Sequence, residues 1–115
     1  MKLTAIEMHK NEGLFPTFTA GCPLENLQPC AKYTHWFSCS IQGFDTYVPE
    51  SFIENNQLNQ SYNPTELNVN IGDTVELLAI YYEWAIVKNS TQQVGWLPLA
   101  KLYGKNVPLL GEQYF

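Results

Sequence analysis

Gly72-Asp73-Thr74-Val75-Glu76-Leu77-Leu78, followed by Trp84 and then by Gly95-Trp96-Leu97-Pro98, decides how this chain folds. Gly-Asp marks a turn, and the residues after it, 74–81, are rich in strand formers. Upstream, residues 66–71 alternate apolar Leu67, Val69 and Ile71 with polar neighbours, the period of a half-buried strand. Downstream, residues 84–88 form a short strand, 89–93 a polar hairpin tip and 94–97 the returning strand. Pro98 lacks an N–H for the ladder and ends that strand. No helical periodicity is sustained beyond one or two turns, so the expectation is an all-β fold of the small-barrel type.

The same order occurs earlier in the chain. Gly21-Cys22-Pro23-Leu24-Glu25-Asn26-Leu27 is followed by Trp36 and by Thr46-Tyr47-Val48-Pro49. Trp36 and Pro49 are 13 positions apart, and Trp84 and Pro98 are 14 apart. A repeat of about 50 residues means two copies of one supersecondary unit. The expected boundaries are 1–54 for the first unit, 58–103 for the second and 104–115 for a tail. A unit of this size buries too little surface to be robust alone, so the two are expected to pack against each other.

The run Tyr62-Asn63-Pro64-Thr65-Glu66-Leu67, then Gly72-Asp73, Trp84 and Gly95-Trp96-Leu97-Pro98, resembles the Src-homology-3 (SH3) family. The first half resembles it less completely: Phe18 and Gly21 stand where Val69 and Gly72 do, and Phe52-Ile53 takes the closing turn and last strand. Over residues 1–103 the chain is similar to bacterial proteins built from tandem variant SH3 domains. The resemblance implies two tandem SH3-like small β-barrels packed together.

It also implies a ligand groove. In the family, aromatic residues from the RT loop, the tryptophan and the closing turn line a groove for proline-rich peptides. Spaced aromatic rungs fit the preformed polyproline II helix. Carried over by position, the first unit offers Phe15, Trp36, Pro49 and Phe52, and the second offers Tyr62, Trp84 and Pro98. Two departures stand out in the second unit. The closing-turn tyrosine of the family falls on Lys101, and only three residues separate Tyr62 from Glu66. A competing reading makes Trp36 and Trp84 packing residues at the interface between units. Glu66 and Glu76 read as solvated strand charges.

Composition bounds the function classes. Apolar residues make up 45% of the chain and aromatics 14%, enough for a packed core. The formal net charge is -5, which disfavours nucleic acid, since phosphate binding needs clustered Lys and Arg. It suits a basic peptide or a basic protein surface, while a proline-rich partner is what the resemblance implies. No apolar run reaches the roughly 20 residues of a membrane helix. The three cysteines, an odd number, suit a reducing compartment, and the expected location is cytoplasmic.

Cys22, Cys30, His35 and Cys39 offer zinc-type ligands, but without the close Cys pair that structural zinc sites use. Cys39 falls on an inward strand position, and His9 and His35 are far apart, so neither a metal nor a Cys–His nucleophile is expected. No phosphate-binding or dinucleotide motif occurs, and no cofactor is expected. The reading is a non-enzymatic protein- or peptide-binding module. A cell-wall-binding module is the alternative, and a small enzyme ranks last. The apolar tail residues Val107, Leu109, Leu110, Tyr114 and Phe115 are expected to cover a strand edge of the same chain, with dimerisation as the other outcome.

Overall fold

The computed structural model describes residues 1–104. The described residues are all-β, with ten strands: β1 (Lys2–Ala5), β2 (Glu25–Pro29), β3 (Trp36–Ile41), β4 (Phe44–Pro49), β5 (Ile53–Glu54), β6 (Gln57–Leu58), β7 (Thr74–Tyr81), β8 (Trp84–Lys88), β9 (Val94–Pro98) and β10 (Leu102–Tyr103). Single 3₁₀ turns, Glu50–Phe52 and Leu99–Lys101, directly follow the two expected strand-ending prolines. Among the described residues no helix is long and apolar enough to cross a membrane.

The chain divides into two compact units, but not at the boundaries the sequence suggests. Residues 15–64 form one, here called the inserted unit. Residues 1–14 join the described residues from 65 onward to form the other, the split unit. The boundaries 1–54 and 58–103, and with them the tandem order, are corrected accordingly. The reason lies in strand pairing. β1 is antiparallel to β7, with Leu3 opposite Val75, and to β10, with Thr4 opposite Tyr103. The chain's first strand therefore completes the sheet of its last ones. The tail residues 105–115, and the expectations placed on them, lie outside the described residues.

In the split unit the sheet order is β10-β1-β7-β8-β9. Buried Leu3, Ala5, Val75, Ala85, Val87, Leu97 and Leu102, with Leu67 and Val69, make its core. Alternation decides which side chains enter it: in β8, Ala85 and Val87 are buried while Trp84, Ile86 and Lys88 are half-buried. In the inserted unit, β2-β3-β4 form one sheet and β5-β6 a two-stranded ladder. An isolated bridge, Pro23 to Gln57, links β6 to the segment entering β2.

The two units thus share one strand order, with β5, β6, β2, β3, β4 standing for β10, β1, β7, β8, β9. Individual hydrogen bonds repeat. Gly72 N–H donates to Ala5 C=O at 2.8 Å, and Gly21 N–H to Leu58 C=O at 2.7 Å. Ile6 N–H donates to Lys101 C=O, and Asn59 N–H to Phe52 C=O. The bridge between His9 and Val69 matches that between Tyr62 and Phe18. The repeat is real, but the strand equivalent to β1 comes after β5 in the inserted unit. Two residues with positive φ, Asn55 and Asn56, make the tight turn that permits this.

The strands form open sheets rather than a closed barrel. In the split unit, however, residues 65–67 run alongside the outer edge of β9. Leu67 N–H donates to Trp96 C=O and Trp96 N–H to Thr65 C=O, each at 3.1 Å. The approach is so close that a Cβ on Gly95 would lie 2.8 Å from Leu67 Cγ and 2.9 Å from the Thr65 carbonyl oxygen. The glycine of the Gly-Trp-Leu-Pro motif is therefore required by this crossing. Gly95→Ala is expected to lose about 1–3 kcal/mol of stability, as overpacked sites do. Urea unfolding would measure it, and a loss indistinguishable from zero would mean that the crossing yields freely.

Candidate functional site

The residues expected to line a groove do not all reach the surface. In the inserted unit Trp36 is 6% exposed, Phe52 3% and Tyr62 4%, and Pro49 is fully buried. Trp36 lies opposite Pro49 across the β3–β4 ladder. Phe52 and Tyr62 meet edge to face, with ring centroids 5.3 Å apart. The Tyr62 hydroxyl donates to the Tyr47 carbonyl at 2.5 Å. Phe15 is half-buried and packs edge-on against Phe44, 6.0 Å away. This is a closed aromatic cluster, which corrects the expectation of an exposed Trp36 strip. Tyr62 is also reassigned: it belongs to the inserted unit with Phe52 and Trp36, not to the groove of Trp84.

The corresponding place in the split unit has different chemistry. Trp84 starts β8 opposite Pro98 at the end of β9, as Trp36 does opposite Pro49. Trp84 is only half-buried, whereas Pro98 is buried. The equivalent of Tyr62 is His9, and the equivalent of Phe52 is Lys101. Where the inserted unit sets two rings edge to face, the split unit sets an imidazole against an ammonium.

Three charged or titratable side chains meet there. His9 Nε2 lies 2.5 Å from Glu66 Oε1. His9 Nδ1 lies 2.9 Å from Lys101 Nζ, which also donates to the Met8 carbonyl at 3.3 Å. An ammonium has donors only, so Nδ1 accepts from Lys101 and Nε2–H donates to the carboxylate. His9 is then the neutral Nε2–H tautomer. Its ring meets Trp84 edge-on at 6.2 Å. The His9 and Glu66 side chains are 12% and 22% exposed. A hollow of about 450 Å³ opens beside His9, between Met8–Asn11 and Asn68–Asn70.

The geometry follows from backbone pairing. The bridge of His9 with Val69 and the run of residues 65–67 along β9 bring Glu66 to His9. The 3₁₀ turn after Pro98 carries Lys101 to the other side of the ring. Sequence reasoning left Glu66 as a solvated charge and considered His9 only as a partner for cysteine. The one signal was Lys101 at a position where an aromatic is expected.

The cysteines have no part in this site. Cys22, Cys30 and Cys39 are free thiols. Among the described residues no group of three or more His, Cys, Asp or Glu is arranged to hold a metal. Burial pushes the Cys39 thiol up to about 11, with the nearby Asp45 adding to it, the wrong direction for a nucleophile. His35 instead faces Glu50 at 3.5 Å.

No protein-family model matches the sequence, and neither a curated protein nor a solved structure matches it significantly.

Two measurements check this geometry. Tyr62→Phe removes the donor to a carbonyl inside the aromatic cluster and is expected to cost about 0.5–1.5 kcal/mol in denaturant unfolding, with the fold retained. Alkylation at pH 8 followed by peptide mapping is expected to label the half-buried Cys30 first. Cys39 should stay protonated and protected until the protein is unfolded, and equal labelling of the two would contradict its burial.

Proposed function

We propose that the protein is a non-enzymatic SH3-like binding module that recognises a protein or peptide through the Trp84 site of its split unit. One observation carries the reading. Trp84 and Pro98 sit opposite each other, and the half-buried indole meets His9, which is itself held between Glu66 and Lys101, at the position where the inserted unit carries Tyr62. One copy of the repeat keeps its cluster closed, and the other leaves a ring accessible beside charge.

The arrangement suits peptide recognition. A large, rigid indole offers contact area at little entropic cost, and the paired charges beside it supply orientation. In the SH3 resemblance the same tryptophan, proline and acidic positions face a peptide. The shared element order of the two units and the 3₁₀ turn after each proline support that likeness. The lysine at the closing turn favours a peptide whose contacts here are at least partly polar over one lying on an all-aromatic ladder. Binding by a single monomer is the simplest form, and nucleic acid remains disfavoured by the net charge of -5.

The test is a titration of the full chain with proline-rich and other basic peptides, followed by Trp fluorescence and backbone NMR. Shifts are expected around Trp84, His9 and Lys101. Trp84→Ala should weaken binding at least tenfold while leaving the melting temperature close to that of the parent, an effect of about 1.4 kcal/mol or more. Trp36→Ala should instead destabilise by about 3–5 kcal/mol. Undiminished affinity in Trp84→Ala would refute the assignment.

A further inference from the structure

The split unit holds a histidine between an anion and a cation, and its two nitrogens have opposite roles. With His9 neutral, Nδ1 accepts from Lys101 at 2.9 Å and Nε2–H donates to Glu66 at 2.5 Å. The trio then carries no net charge. Imidazoles as a class change charge between pH 5 and 8. A proton added to this ring can go only to Nδ1, because Nε2 already carries one. That nitrogen then becomes a donor facing an ammonium, itself a donor. The hydrogen bond is lost, and two positive charges are left in contact.

The bond to Glu66 changes in the opposite sense. An imidazolium donates to a carboxylate more strongly than a neutral ring does. His9 is also held by its backbone, through N–H to Val69 C=O at 3.0 Å and the reciprocal bond at 2.9 Å. Among the described residues the Lys101 ammonium has a weaker anchor: besides His9, it touches the Met8 carbonyl at 3.3 Å. The ring therefore stays and the lysine side chain leaves. Among the described residues Glu66 and Lys101 are the charged groups within hydrogen-bond reach of the ring, Trp84 meets it in a T-shaped contact with no titratable atom, and Lys10 lines the adjoining hollow.

We propose that His9, whose ring meets Trp84, is a proton-operated latch, holding the Lys101 ammonium on its Nδ1 when neutral and expelling it when protonated. Protonation adds one positive charge at His9, and the departing ammonium carries one away, so the His9–Glu66 pair left behind is neutral. This deepens the binding reading of the same site and, where it concerns partners, rests on it. A ligand at Trp84 meets a fixed ammonium nearby in the latched state and not in the open one.

The latch is testable without any ligand. NMR of the full chain from pH 8 to pH 5 reads the His9 imidazole, the Lys101 Cε and Hε resonances and the Trp84 indole N–H together. The expected result is a Nε2–H tautomer for His9 at pH 8, and Lys101 and Trp84 signals that move with the same midpoint as His9. In H9Q that common step disappears; a thermal melt checks that H9Q is folded. If H9Q fails to fold, the parent titration alone decides.

Lys101 signals that stay flat through the His9 transition overturn the latch, as does a step that survives unchanged in H9Q. Those outcomes leave peptide binding untouched. Conversely, a working latch with no peptide affinity at any pH would remove the binding role and leave the latch standing.

Discussion

The crossing of residues 65–67 over β9 is the contact on which the candidate site depends. It exists because Gly95 has no side chain, so that Leu67 and the Thr65 carbonyl can close on the strand to 3 Å or less of where a Cβ would stand. Three consequences follow from this one approach. The outer edge of β9 receives hydrogen-bond partners instead of being left as an open ladder. Leu67 is carried into the core of the split unit. Glu66, one residue earlier, is turned toward His9, which the bridge to Val69 has already fixed. Close packing of backbone against backbone thus positions a polar site that no local propensity would create.

Comparison of the two copies of the repeat shows how one frame can hold two kinds of interior. Both place a tryptophan opposite a proline, follow the proline with a 3₁₀ turn and return the chain to a closing strand. In the inserted unit the remaining positions are Phe52 and Tyr62, whose rings meet edge to face, and Trp36 is buried there too. In the split unit they are Lys101 and His9. An ammonium and an imidazole keep some access to water because burying them fully carries a desolvation cost that aromatic rings do not have.

Much of the architecture was legible from local pattern. The Gly72-Asp73 turn, the polar tip at 89–93 and the prolines ending β4 and β9 all reflect constraints acting within a few residues, whereas residues 66–71 bury Leu67 and Val69 but make only isolated bridges in place of the expected strand and leave Ile71 exposed. The correspondence of Phe18 with Val69, Gly21 with Gly72 and Phe52 with Lys101 also holds in the hydrogen bonds. The division of the chain was not legible. β1 and β6 occupy equivalent places, yet one precedes its unit and the other follows β5. A two-stranded pairing carries the same local signal whichever end of the chain supplies the strand. The fate of the aromatic residues was likewise hidden, since a tryptophan reads the same in a groove and in a core.

Sequence alone therefore determined the β character of this protein, its internal duplication and the positions of its turns, because each rests on short-range backbone preference and side-chain alternation. Tertiary structure alone decided that residues 1–14 complete the sheet of the second repeat, that Trp36 is enclosed while Trp84 is not, and that His9, Glu66 and Lys101 meet. Those three lie 57 and 92 positions from one another along the chain, His9 to Glu66 and His9 to Lys101. Only long-range strand pairing and the absence of a side chain at Gly95 bring them within hydrogen-bond distance.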